Sequence, residues 1–109
     1  MKKVEKILAP TDLSALSVLG VRYALDLARG WGATVTVFHT ADISELTNYK
    51  ALSIPDLMTK HRQALAVFMQ ENFAELLPLV EVREKVELGT AETSIVEEAE
   101  REGVDLIVM

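Results

Sequence analysis

Residues 6–14 read KILAPTDLS, a strand pattern followed at once by a turn pattern. The apolar run closes at Pro10, which predicts a buried strand, because proline cannot donate a hydrogen bond to a strand ladder. The polar residues that follow predict a turn, and Ser14 is suited to cap a helix. Apolar residues then recur at helical spacing as far as Leu27, and Gly30 and Gly32 mark the predicted helix end. A strand that runs directly into a helix is the first half of a βαβ unit.

The rest of the chain repeats this alternation of strands and helices. Three further strands are predicted from β-branched, alternating and continuously apolar patterns, at 34–40, 80–88 and 104–109. A long helix is predicted between Pro55 and Pro78, and a shorter one carries a capping-box pattern from Ser94 to Glu97. The alternating strand is typical of a sheet edge, whereas the last strand is typical of one covered by helices on both faces. The order βαβαβαβ predicts the α/β class with a doubly wound, open parallel sheet.

Composition narrows the class of protein. The chain has 109 residues, half of them hydrophobic, which predicts one folded domain over residues 1–109 and excludes disorder for most of it. The net charge of -6, without a lysine–arginine cluster, argues against nucleic-acid partners. The absence of cysteine excludes disulfides, thiolate catalysis and cysteine-bound zinc. Without a signal-peptide pattern or a run of about 20 apolar residues, the sequence predicts a cytoplasmic domain with no membrane contact.

Four residues fall at the predicted carboxyl ends of the strands, where open parallel sheets bind ligands: Asp12, Thr40, Gly89 and Met109. Asp12 is the strongest candidate for a ligand-binding residue, because a carboxylate just past a buried strand can accept hydrogen bonds from ribose hydroxyls or a base amino group. An equally common role for aspartate in such a turn is to cap the following helix. Spacing alone leaves these two interpretations balanced.

Other kinds of chemistry find little support in the sequence. His39 and His61 lack a partner at metal-ligand spacing, so we interpret them as a strand-end and a helix-flank histidine. No glycine-rich loop follows the first strand, and no acid–base pair or activated nucleophile is visible. An enzyme is therefore not expected, although slow ATP hydrolysis stays open. The acidic run is expected to form a solvated helix face, at Glu97, Glu98, Glu100 and Glu102.

Four segments together resemble the universal stress protein family. They are residues 6–14, 35–39 (VTVFH), 87–95 (ELGTAETSI) and 103–109 (GVDLIVM), and they follow one another in the family's order. The resemblance implies a Rossmann-like sheet of the adenine nucleotide alpha hydrolase-like type, with strand order 3-2-1-4-5, often in homodimers. It therefore implies the order 3-2-1-4 for the four strands of this chain.

The same resemblance implies a ligand, because some family members bind ATP or AMP and others do not. In the binding members an aspartate after the first strand contacts the ribose or adenine end, a role that falls on Asp12, with Pro10 and Thr11 shaping the turn. The position after the second-strand histidine lies against adenine and is Thr40 here. The last residue of the fourth strand abuts the nucleotide and is Met109 here. ATP or AMP is thus the implied ligand, with or without Mg²⁺, and no catalytic or metal-ligating residue is implied.

The sequence departs from the family pattern after Met109. The family's glycine-rich phosphate loop and fifth strand follow at this point, so we expect a missing C-terminal portion, with nucleotide binding weakened or absent in this form. The uncovered edge of the fourth strand predicts self-association, capture of an element from a partner, or a disordered tail after Met109. The family resemblance implies that self-association gives a homodimer. Two functions stay open: an adenine-nucleotide-binding stress sensor or regulator, and a dimerisation or protein-interaction module that binds no nucleotide.

Overall fold

The structure, a computed structural model, describes residues 3–48 and 53–109. Strands and helices alternate as β1 (Lys6–Pro10), α1 (Ala15–Trp31), β2 (Thr34–Ala41), α2 (Glu45–Asn48), α3 (Ile54–Phe73), β3 (Glu81–Leu88), α4 (Ala91–Glu102) and β4 (Leu106–Ile107). A 3-10 turn at Leu77–Leu79 leads from α3 into β3. The predicted strands and helices are all present, and α2 is a turn of helix that the sequence did not predict. None of the helices in the two described ranges is long and apolar enough to cross a membrane.

The four strands form one parallel sheet in the order β3-β2-β1-β4. Lys6 of β1 pairs with Thr34 of β2, and Thr34 pairs in turn with Glu81 of β3. On the other side of β1, Ile7 pairs with Leu106 of β4. The predicted α/β class, parallel sheet and strand order 3-2-1-4 are therefore confirmed. β3 lies at one edge of the sheet, as its alternating pattern predicts.

The main hydrophobic core lies between one face of the sheet and the helices α1 and α3. Ile7 and Ala9 of β1, with Val35 and Val37 of β2, point to this side, since alternate residues of a strand share a face. They pack against buried residues of the two helices: Val21, Ala24, Leu25, Ala28, Leu65, Phe68, Met69 and Phe73. Because burial of each large apolar side chain contributes about 1.5–3 kcal/mol, this layer holds the central strands firmly in place.

Helix α4 lies on the opposite face of the sheet, where it contacts β2. Glu97 and Glu100 of α4 are exposed as predicted, but Glu98 is only 1% exposed. Lys85 Nζ donates to both carboxylate oxygens of Glu98 at 3.0 Å, and Arg101 Nη1 donates to its Oε1 at 3.0 Å. The expectation of a solvated Glu98 is wrong because α4 covers the charged side of β3, so the carboxylate pairs with cations across that interface.

The ends of the helices follow local sequence chemistry. Ser14 caps α1, as predicted, by accepting a hydrogen bond from a backbone N–H of the first turn. Gly32 ends α1 in the left-handed conformation, with φ 67°. The capping box predicted to begin at Ser94 is wrong, because α4 starts earlier and has Thr90 as its N-cap. The Ser94 N–H instead donates to the Thr90 carbonyl at 3.0 Å, as part of the first helical turn.

Strand β4 differs from its prediction in one respect. Val108 is buried and Leu106 partly buried on the side of α1, but Ile107 is 38% exposed. Ile107 points to the other face, as the alternation of a strand requires, and α4 packs mainly over β2 there. The predicted cover of this strand is therefore complete on the side of α1 and only partial on the other side.

Candidate functional site

A cavity of about 400 Å³ opens at the carboxyl edge of the sheet. The five site residues predicted from the sequence all line it: Pro10, Thr11, Asp12, Thr40 and Met109. The start of α1, the end of β2 and the start of α4 complete the wall, through Ser14, Leu16, Ser17, Gly20, Phe38, His39, Ala91 and Ile95. Gly89, the remaining strand-end residue, is not among these lining residues. The size suits a small molecule, since ligand pockets usually measure about 300–1,000 Å³.

The turn from Thr11 to Ser14 is fixed by its own hydrogen bonds. The Thr11 N–H donates to the Phe38 carbonyl at 2.8 Å, so the turn begins beside β2. The Leu13 N–H donates to Thr11 Oγ1 at 3.0 Å. Leu13 has φ 66°, a left-handed conformation that costs a residue with a side chain roughly 1–2 kcal/mol. Its side chain packs against the core, and together these contacts hold the strained turn in one conformation.

Ser17 ties this turn to the first turn of α1. Its hydroxyl donates to the Ser14 carbonyl at 2.8 Å, and its oxygen lies 2.7 Å from Thr11 Oγ1. Because the single hydroxyl proton of Ser17 is used on Ser14, Thr11 is the donor in the second contact. Thr11 is itself buried. The turn therefore presents a pre-formed edge to the cavity.

Asp12 lies on the exposed side of the same turn. Its Oδ1 accepts a hydrogen bond from the Ser14 N–H at 2.9 Å. Hydrogen bonding with Ser14 holds the pKa of Asp12 below its usual value, so the carboxylate is ionised at neutral pH. Since Ser14 and not Asp12 is the N-cap of α1, the helix-capping interpretation of Asp12 is wrong. A carboxylate with one such hydrogen bond keeps acceptor capacity for a ligand.

The cavity is largely apolar, and among its described lining residues Asp12 supplies the one side-chain carboxylate. Phe38 and Ile95 line it together with Met109, whose backbone lies close to Gly20 of α1. Asp12 and His39 are its ionisable lining groups, and none of the described lining residues is a lysine or an arginine. Burial lowers the pKa of His39, which favours its neutral form. Such a cavity suits the flat, uncharged end of a ligand that directs hydrogen-bond donors at Asp12.

His39 also belongs to a chain of hydrogen bonds that the sequence did not reveal. Its Nδ1 lies 3.0 Å from the Thr11 carbonyl oxygen, and its Nε2 lies 2.9 Å from Nδ1 of His61. The Nε2 of His61 lies 3.1 Å from both carboxylate oxygens of Glu45 in α2. His39 lies near the end of β2 and His61 lies on α3, as predicted, and the contact between the two rings is what the sequence did not show. The chain is linear, and no three His, Cys, Asp or Glu side chains of the described stretches are grouped so that they could hold a metal ion.

Comparison with known proteins agrees with this fold. The sequence profile of the universal stress protein family matches residues 3–109. The chain belongs to the universal stress protein family. No curated protein matches the sequence significantly.

Several solved structures share the fold of this universal stress protein. A universal stress protein in complex with cAMP is 16% identical, with a TM-score of 0.75 over 99% of this chain and 77% of that one. Universal stress protein UspA from Lactobacillus plantarum is 21% identical, with a TM-score of 0.67 over 99% of this chain and 77% of that one. The hypothetical protein MJ0577, whose biochemical function was assigned from its structure, is 26% identical, with a TM-score of 0.70 over 99% of this chain and 75% of that one.

Proposed function

We propose that this universal stress protein binds the adenosine end of ATP or AMP in the cavity and acts as a stress sensor or regulator without catalysing a reaction. The observation that carries the proposal is the convergence of Asp12, Thr40 and Met109 on one cavity, at the edge where parallel sheets bind ligands. A universal stress protein of the same fold forms a complex with cAMP, which also contains adenosine.

Each lining residue has a definite part in this proposal. The Asp12 carboxylate accepts hydrogen bonds from ribose hydroxyls or from the adenine amino group. In this proposal Thr40 and Met109 lie beside the base, and Ile95, which also lines the cavity, supplies apolar surface for it. The turn is already fixed by its internal hydrogen bonds, so little ordering is required on binding.

The phosphate end of the ligand receives less support from the described residues. Their part of the cavity contains Asp12 but no lysine or arginine, so a negatively charged phosphate would meet a carboxylate rather than a cation. Any Mg²⁺ would be held by the phosphates of ATP. We therefore propose that most of the affinity of this chain comes from the nucleoside, and that ATP binds no more tightly than adenosine.

Calorimetric titration with adenosine, AMP and ATP tests the proposal on the full chain. We expect Asp12→Ala to lose about 1–3 kcal/mol of adenosine binding, the usual value of a hydrogen bond to a charged group. Asp42→Ala is the matched control, because Asp42 accepts an equivalent hydrogen bond from the Ser44 N–H at 2.9 Å but does not line the cavity. Equal affinities of the two variants, or no binding of any adenine compound at millimolar concentration, would overturn the proposal.

A second function, a dimerisation or protein-interaction module, is favoured by exposed apolar side chains near β4. Leu16, Leu19 and Met109 are 87%, 75% and 84% exposed, and β4 lies at an edge of the sheet. Such a surface is typical of association, and the partner we propose is a second copy of this chain. Sedimentation at micromolar concentration tests it: we expect a dimer that Leu19→Glu dissociates, and a monomer for the unmodified chain would contradict it.

A further inference from the structure

The hydrogen-bond chain through the two histidines has an acceptor at each end. The Thr11 carbonyl oxygen lies at one end, 3.0 Å from His39 Nδ1, and the Glu45 carboxylate lies at the other, 3.1 Å from His61 Nε2. Between them, His39 Nε2 and His61 Nδ1 are 2.9 Å apart. A carbonyl and a carboxylate only accept hydrogen bonds, so the protons of all three contacts must come from the imidazoles.

The number of protons that the three hydrogen bonds need gives the charge of the two imidazoles. Each of the three contacts requires one proton between its two heavy atoms. Two neutral imidazoles carry one N–H each, so they supply one proton too few. The three contacts can form together only when the pair of imidazoles holds an additional proton, shared between His39 and His61.

The two rings of the pair have different surroundings. His39 is 7% exposed, and burial is the largest cause that lowers its pKa, with the nearby His61 adding to the effect. His61 lies against the Glu45 carboxylate, which stabilises a cation, and Lys60 Nζ lies 4.0 Å from the same carboxylate. Asp12 and Glu45 are charged groups that raise the pKa of His39, against the larger effect of burial. Burial therefore favours a neutral His39, which in the three-contact arrangement has its proton on Nδ1, and the additional proton belongs to the pair.

We propose that Glu45, His61 and His39 form a proton-dependent clamp, which joins α2 and α3 to the turn after β1. With the additional proton present, His61 donates to both Glu45 and His39, and His39 donates to Thr11. When rising pH removes that proton, the two protons that remain can serve only two of the three contacts, so one hydrogen bond of the clamp is lost. Lys60 of α3 still lies 4.0 Å from the Glu45 carboxylate, so α2 and α3 stay in contact.

This clamp places a pH-sensitive contact beside the cavity. His39 lines the cavity and holds the carbonyl of Thr11, the residue before Asp12. His39 is thus a positioning residue for the turn, and Glu45 and His61 act on the cavity only through it. The clamp operates in the free protein and does not require a nucleotide.

Long-range ¹H–¹⁵N NMR of the uniformly labelled full chain tests the clamp directly. We expect a scalar coupling across the hydrogen bond between His39 Nε2 and His61 Nδ1, and three protons on the ring nitrogens of the pair, one of which the pair loses as pH rises. A merely structural role for the histidines would not produce this set of protonation states. Absence of the coupling, or a pair that holds only two protons while all three contacts persist, would overturn the proposal.

A pair of isosteric variants tests the part of Glu45. Glu45→Gln removes the charge that stabilises the His61 cation, so the loss of the additional proton is expected to shift to lower pH. Glu71→Gln makes the same chemical change on the exposed side of α3 and is expected to leave the titration unchanged. Identical titrations for the two variants would refute the clamp. The coupling measured in the unmodified chain decides the question even where Glu45→Gln does not fold.

Discussion

A Cβ atom on Gly20 would lie 3.3 Å from the carbonyl carbon of Met109. Helix α1 therefore passes close to the backbone at the end of β4, and both residues line the cavity at this crossing. Glycine inside a helix is less favourable than alanine by about 1 kcal/mol. The close approach gives a packing reason for glycine at this position.

This relationship predicts different effects for two glycine-to-alanine changes in the same helix. Gly30→Ala is expected to stabilise the protein by about 0.5–1 kcal/mol, because nothing lies within 4 Å of its added Cβ. Gly20→Ala gains the same helix propensity but must displace the backbone of Met109, so we expect a smaller gain or a loss. Urea unfolding measures both. A gain at Gly20 as large as that at Gly30 would contradict the packing argument.

The fold could be predicted from local sequence patterns, because each pattern corresponds to one element of the structure. The apolar run closed by Pro10, the cap at Ser14 and the alternation of 80–88 each specify one element, and right-handed crossovers leave few ways to combine them. The cavity residues were predictable for a related reason, since parallel strands bring their carboxyl ends to one edge. The resemblance to a family then selected Thr40 and Met109 among the strand ends.

Contacts between distant side chains could not be predicted in the same way. His39 and His61 are separated by 22 positions, and no local pattern links them. One topological signal was present: a helix that follows a parallel strand starts near the carboxyl end of that strand, so the first turns of α3 pass the end of β2. Glu98 was misjudged because a run of acidic residues on a helix does not show which residue of the run faces the sheet.

The buried carboxylate of Glu98 predicts an asymmetry between two substitutions. Lys85→Met leaves a buried negative charge with Arg101 still donating to it, and we expect a loss of about 3 kcal/mol, the lower end for a broken buried ion pair. Glu98→Leu removes that charge and leaves Lys85 and Arg101, which are 33% and 50% exposed, free to reach water. We expect this change to lie within about 1 kcal/mol of the unmodified chain.

Chemical unfolding of both variants measures this asymmetry. Lys3→Met is the control for the loss of a lysine, because Lys3 is exposed ahead of β1. A Glu98→Leu variant less stable than Lys85→Met would show that the ion pair, and not the desolvated carboxylate, dominates this interface.

The hydroxyl of Thr11 is expected to contribute more to the stability of the protein than its methyl group does. Thr11→Val removes the acceptor of the Leu13 N–H and the donor to Ser17, at a residue that is 7% exposed. A buried polar group without its partner costs about 1–3 kcal/mol, so we expect a loss of this size. Thr11→Ser retains both hydrogen bonds and is expected to lose less. Thermal unfolding compares the two, and a more stable valine variant would show that these hydrogen bonds do not hold the turn.

Asp12 is expected to make the stability of the turn depend on acid pH. Its pKa is lowered from the usual 3.8 by hydrogen bonding with Ser14, so its contribution to stability is fully present above 3.8. That contribution is lost as the pH falls through the lowered pKa, where the folded carboxylate takes up a proton. Asp12→Asn retains an acceptor for the Ser14 N–H but cannot titrate. The difference in unfolding free energy between the unmodified chain and this variant should therefore stay constant from neutral pH to about 4. Below that pH the unmodified chain should lose stability relative to the variant. Urea unfolding of both proteins across this range measures it. A difference that moves in favour of the unmodified chain as the pH falls would contradict the assigned direction of the pKa shift.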